Sequence, residues 1–185
     1  MAGRPGMERA AEGLHGLYRD VVRDARGQVS WDSGWRSNAI VGSCRSLLAA
    51  FLRGGPPEAL GIQGLAVGAG LEAWDSGFIP PATSAQTALV DPHPHLVPRS
   101  ALTLSFLSGA SVSPTPTNRL QISASLGPGV PPWPDTATGH PTSALREFGL
   151  VGRLDGQSIL INYVTHPVIT KDAASTLERT VWLVF

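Results

Sequence analysis

Three side chains able to move protons stand together late in the chain: Tyr163, His166 and Lys171, within INYVTHPVITK at residues 161–171. They could form an acid–base cluster if the backbone turned them towards one point. Strand periodicity predicts the opposite. In a strand over 159–166, Ile159, Ile161 and Tyr163 share one face, while Leu160, Asn162, Val164 and His166 share the other. Pro167 then opens a new step before Lys171. The stretch is expected to be the closing seam of a β-fold, not an active site.

Four other groups have residue types suited to chemistry. DPHPH offers Asp91, His93 and His95, and an H-x-H pair on extended chain can aim two imidazoles at one zinc ion. Further ligands would have to come from His140 or His166 in remote segments, and alternating prolines favour a rigid exposed loop with incidental histidines. Asp32 and Asp75 both occur in W-D-S-G and could pair as carboxylates. Each is expected instead to open a turn beside a core-anchored tryptophan. GAGLEA at 68–73 has the spacing of a dinucleotide-binding loop, but no helix-forming sequence follows it, so a plain turn is expected. Cys44 falls on an apolar helical face, where cysteine behaves as a small core residue. No nucleophile elbow, P-loop or H-E-x-x-H is present. The sequence therefore predicts no enzyme, no cofactor and no metal.

The elements that would position these residues are mostly strands. LYRDVV and VSWDSGW around RDARGQ read as a hairpin, with Val29, Trp31 and Trp35 in period two. A helix is expected over about 38–53, capped by Ser37 or Asn38 and stopped by Gly54, Gly55, Pro56 and Pro57. Its apolar stripe would be Ile40, Val41, Cys44, Leu47, Leu48 and Phe51. GIQGLAVGAG reads as a buried strand, and 74–98 as a surface excursion with one short extended piece. ALTLSFL and RLQISASL alternate strictly and predict a sheet with one wet face. Asp155-Gly156 marks a hairpin, and TLERTVWLVF is expected to lie inside a sheet.

Composition agrees with this. The 185 residues include 21 glycines and 16 prolines, a balance that favours short strands over a helical bundle. The fold expected is mainly β: an antiparallel β-sandwich over 17–185 with one packed amphipathic helix and a flexible N-terminal arm over 1–16. Fourteen basic and fourteen acidic residues cancel, which argues against a nucleic-acid partner and suits a subunit of an assembly. A single cysteine forms no internal disulfide. No stretch is long and apolar enough for membrane insertion, and the N-terminus lacks a signal-peptide pattern, so a cytoplasmic origin is expected.

WDSGWRSNAIV, IQGLAVGAG, ATSAQTALV, RLQISASL, LREFGLVG and INYVTHPVITKDAASTLERTVWLVF, in that order, resemble small structural proteins of tailed-phage virions. Similar proteins occur in phage-derived contractile injection systems and tailocins. The matching steps are Asn38 to Gly42, Ala66 to Gly70, Thr87 to Leu89, Leu145 to Leu150 and Pro167 to Lys171. The resemblance implies a non-catalytic module of a tail: fibre adaptor, baseplate periphery, collar or cap. It would form homo-oligomers and dock on neighbouring tail or baseplate subunits, then be carried in the virion or tail-like particle. Trp74, Phe78, His93, His95 and Trp133 are the interface candidates, being large or ring-bearing residues among turn formers. Two alternatives stand beside this: a carbohydrate-binding sandwich using exposed tryptophans, Trp133 first, and a metal-dependent enzyme using Asp91, His93 and His95.

Overall fold

A computed structural model describes residues 13–54 and 59–185. Residues 1–12, most of the expected arm, and the Gly55-Pro56-Pro57 helix stop lie outside the described residues. The fold is mainly β, as the alternating sequence predicts. Its strands are β1 (His15–Arg23), β2 (Val29–Asp32), β3 (Arg36–Ile40), β4 (Leu60–Gly68), β5 (His95–Pro98), β6 (Leu102–Ser108), β7 (Ser111–Ser113), β8 (Arg119–Leu126), β9 (Ala144–Leu154), β10 (Gln157–Leu160), β11 (Asn162–Thr170) and β12 (Thr176–Val184). One α-helix, α1 (Gly42–Leu52), follows β3.

All pairings are antiparallel, in the order β5-β4-β9-β11-β3-β1-β12-β8-β6-β7, with β10 beside β9 and β2 beside β1. The sheet turns over on itself. Phe148, Leu150, Leu65 and Val164 from one half share a core with Tyr18, Ile122, Leu177 and Val181 from the other. The Tyr18 and Phe148 rings meet edge-on at 5.3 Å. The short β3 joins the halves, pairing with β1 at Arg36–Asn38 and with β11 at Ala39 and Ile40.

That junction corrects the expected helix start. Residues 38–40 are strand, and neither Ser37 nor Asn38 caps α1, whose N-cap is Val41 without a side-chain cap bond. Ladder bonds to two neighbours outweigh a local capping preference. The helix ends as expected near Gly54, which takes φ +79° and donates to the Phe51 carbonyl. At the Asp155-Gly156 turn both residues have positive φ, the two-residue geometry that suits strand twist. The terminal segment lies between β1 and β8 as a central strand, in full register with each. Among the described residues no helix is long and apolar enough to cross a membrane.

Candidate functional site

The proton-moving trio does not converge. Tyr163 and His166 lie on β11 and serve different networks, and Lys171 serves a third. Tyr163 donates its hydroxyl to Glu147 Oε2 at 2.5 Å. Burial, reinforced by that carboxylate, raises its pKa. Lys171 is buried and donates to the Gly127 carbonyl at 2.7 Å, closing the loop between β8 and β9. Burial lowers its pKa.

His166 enters the deepest polar group of the molecule. Arg179 and Asp20 are cross-strand partners on β12 and β1, and both side chains are fully buried. Arg179 Nε and Nη2 donate to the two Asp20 oxygens, each at 2.7 Å. Its guanidinium carbon stands 3.8 Å from the centre of the Phe148 ring, across the core. Nη2 also meets His166 Nε2 at 3.2 Å. Arginine only donates, so His166 Nε2 is the acceptor, and Nδ1 carries the proton it gives to the Pro167 carbonyl at 2.8 Å. The ring is therefore neutral. Burial and then the Arg179 charge pull its pKa down to about 4.

A second buried group surrounds Asp91. Its carboxylate accepts the backbone N–H groups of Ala69 and His93, both at 2.8 Å. It also meets His140 Nε2 at 2.8 Å. The histidine that reaches Asp91 is thus His140, which the sequence placed in a remote segment. His93 is exposed and His95 is half-buried, and burial lowers the His95 pKa. Among the described residues no three or more metal-ligating side chains come together.

His140 Nδ1 lies 2.8 Å from Thr138 Oγ1, which also meets Asp135 Oδ2 at 2.9 Å. A threonine–histidine–aspartate chain has the order of a nucleophilic relay. The proton count gives it another role. Thr138 has one hydrogen, which cannot serve His140 and Asp135 at once, so the relay order is incomplete and the group acts as a fastening. The Trp133 ring stacks on His140 at 3.8 Å. Asp135 and His140 also exchange backbone bonds, so the group ties a tight loop to the Asp91 strap.

Glu147, wholly buried, completes the strap. It accepts from the backbone N–H groups of Val90 and Asp91 as well as from Tyr163. The two W-D-S-G carboxylates are each taken by a separate arginine. Asp75 binds Arg146 through both oxygens, at 2.7 and 2.6 Å, and Asp32 binds Arg19. Arg146 holds the Asp75 pKa below the usual carboxylate range, and Arg19 holds Asp32 at about 2. Trp74 is anchored in the interior as expected, whereas Trp31 is exposed, because β2 is an edge strand.

Of the interface candidates, Trp74 is buried and offers no contact surface, and Trp133 has one face on His140. Phe78 remains 80 % exposed. Sequence periodicity did not mark the apolar pocket of about 390 Å³ between α1 and the two halves of the sheet. No family model, curated protein or solved structure matches the chain.

The Arg179 arrangement sets two expectations. Arg179→Met leaves the Asp20 carboxylate buried without a partner and should cost about 3–5 kcal/mol in urea unfolding. Asp20→Leu combined with Arg179→Met should recover most of that loss; no recovery would show that the pair does more than balance charge. The His166 pKa lies below the value near 6.5 of an unfolded histidine, so between about pH 4 and 6.5 the unfolded chain binds the extra proton. Its contribution is intact above that window and falls, by about 3 kcal/mol in total, as pH drops through it. His166→Gln should flatten this part of the pH–stability curve measured by denaturant midpoints.

Proposed function

We propose that the chain is a structural subunit of a phage tail or tail-like injection particle, acting by docking on neighbouring subunits. The resemblance of its ordered segments to tail proteins supplies the class, and Phe78 supplies the physical argument. The excursion from η-type turn Glu72–Asp75 to β5 has no strand of its own before His95. It is nevertheless fastened along its length. Asp75 is held by Arg146, the Pro80 carbonyl by Thr165 Oγ1, the Ser84 carbonyl by the Gly42 N–H, and Val90 and Asp91 by Glu147. Between the first two fastenings stands Phe78, held out in water. A large aromatic side chain on a loop that has already lost its freedom makes an efficient anchor, because little ordering cost remains on binding.

A carbohydrate-binding reading keeps one specific support. Trp35 lies against Trp182 at 4.3 Å and is 42 % exposed. Trp182 is oriented by a 2.9 Å bond from Nε1 to Gln121. This pair, not Trp133, is the platform on which a sugar ring could stack. Metal chemistry at Asp91 is disfavoured by geometry, since both its oxygens already accept internal donors.

The docking reading is tested by determining whether tube, sheath and baseplate genes flank its gene and, where they do, producing the chain with their products and sedimenting the particles. The chain should be retained at fixed stoichiometry, and Phe78→Ser should keep its melting temperature while its retention falls at least tenfold. A chain found only in the soluble fraction would overturn the reading. On a glycan array, the sugar-binding alternative requires saturable binding that Trp35→Ala abolishes.

A further inference from the structure

We infer that the pocket beside α1 is half of a two-fold contact, and that its occupant is Leu52 of a second copy of this chain. The pocket is lined by Cys44, Leu47, Leu48 and Phe51 of α1, by Ile62 of β4, and by Leu104 and Phe106, Leu120 and Leu183 of the facing strands, with Ile161 and Phe185. Among the described lining side chains the Cys44 thiol is the one ionisable group, and burial raises its pKa. The only lining side chain with a hydroxyl is Ser105. A ligand carrying buried heteroatoms would find almost no partner there, so what enters must be hydrocarbon.

Leu52 is the knob that matches this hole. It is 90 % exposed, the most exposed large apolar residue described. On a helix of 3.6 residues per turn, Cys44, Leu47, Leu48 and Phe51 form one stripe, and Leu52 falls on its flank one turn beyond Leu48. It therefore stands at the mouth without filling it. Phe51, Phe106 and Phe185 line the pocket and are themselves 46 %, 37 % and 44 % exposed.

Hole and knob share one surface, which is the requirement for an isologous pair: each copy inserts its Leu52 beside the α1 of the other, and both contacts close at once. With about 200 Å² for a whole large apolar side chain, Leu52 and the three phenylalanines present about 400 Å². That supplies about half of the 800 Å² each partner buries in a standard interface, concentrated at its centre. The described lining side chains carry no fixed charge, so apolar contact and not charge pairing would hold two copies together. The pairing is independent of the tail reading: it rests on residues other than Phe78 and would hold whatever particle the chain serves.

Sedimentation-velocity runs of the full chain from about 1 to 100 µM test it. The expected result is a concentration-dependent shift from the 19.4 kDa chain to twice that mass. Leu52→Glu, on an exposed position, should keep the melting temperature and raise the dissociation constant at least tenfold. Phe78→Ser should leave it unchanged. A wild-type chain that remains monomeric at 100 µM overturns the proposal, as does a Leu52→Glu chain that pairs like wild type. Stoichiometric uptake of Nile red by a chain that stays monomeric also overturns it, marking the pocket as a small-molecule site.

Discussion

The fold depends on a charge pair placed where charge is most expensive. Asp20 and Arg179 lie opposite one another on β1 and β12, inside the sheet, with no exposure to water. Burying two ions costs several kcal/mol each unless geometry is near ideal. Here the guanidinium is bidentate on Asp20, has its central carbon 3.8 Å from the centre of the Phe148 ring and is bonded to a neutral His166. The consequence is register. A slip of one residue along β12 would turn Arg179 outward and drive Glu178 into the core, because strand faces alternate. In the observed register Glu178 is on the outer face, bonded to Arg23. Since β12 is central, with β1 on one side and β8 on the other, fixing it fixes half the sheet.

The other half is fixed by a different device, carboxylates that gather backbone N–H groups and ring side chains in place of an arginine. Glu147 takes two backbone N–H groups and a phenol, and Asp91 takes two backbone N–H groups and His140. Glu147 thus ties β9 to the strap between β4 and β5 and to β11, and Asp91 ties that strap to the end of β4 and to the loop before β9. Every residue from Ala144 to Leu150 is consequently buried. Residue types that suggest catalysis in the sequence are used here as connectors: a tyrosine, two histidines, a lysine and three aspartates each close one segment on another.

Strands were legible wherever one face is wet. In β8, Leu120, Ile122, Ala124 and Leu126 alternate with polar residues because the outer face meets water. The same rule separated Tyr163 from His166. Legibility failed where a residue answers to a distant partner. Period two puts Arg179 on the face of Leu177, Val181 and Leu183, but nothing local explains a charge there; the cause is Asp20, 159 positions away. His140 reaches Asp91 across 49 positions, whereas the H-x-H spacing pointed to His93 and His95. Residues 38–40 carry helix signals, yet they are the ladder between two halves of a sheet. The Trp74 side chain could be read as anchor or as contact from sequence alone, and the structure buries it beside the Asp75–Arg146 bond and against Gly70.

The two polar locks also explain why the apolar pocket lies where it does. The Arg179 group joins the halves near Phe148, and the Glu147 and Asp91 group binds β9 to its strap, so neither reaches the end where β12 and β8 approach Leu183 and Leu120. At that end α1 is the spacer, entering directly from β3, the strand that joins the halves. A helix is about 10 Å across with its side chains, and Leu104, Phe106, Leu120 and Leu183 of the strands facing it line the gap without filling it. Along β6 the inward residues Leu102, Leu104 and Phe106 pass from buried to half-buried to exposed, which traces the halves diverging. The same wedge that lets one chain close a sheet over itself therefore leaves an apolar opening at its edge, and the exposed Leu52 at the end of that wedge is its physical complement.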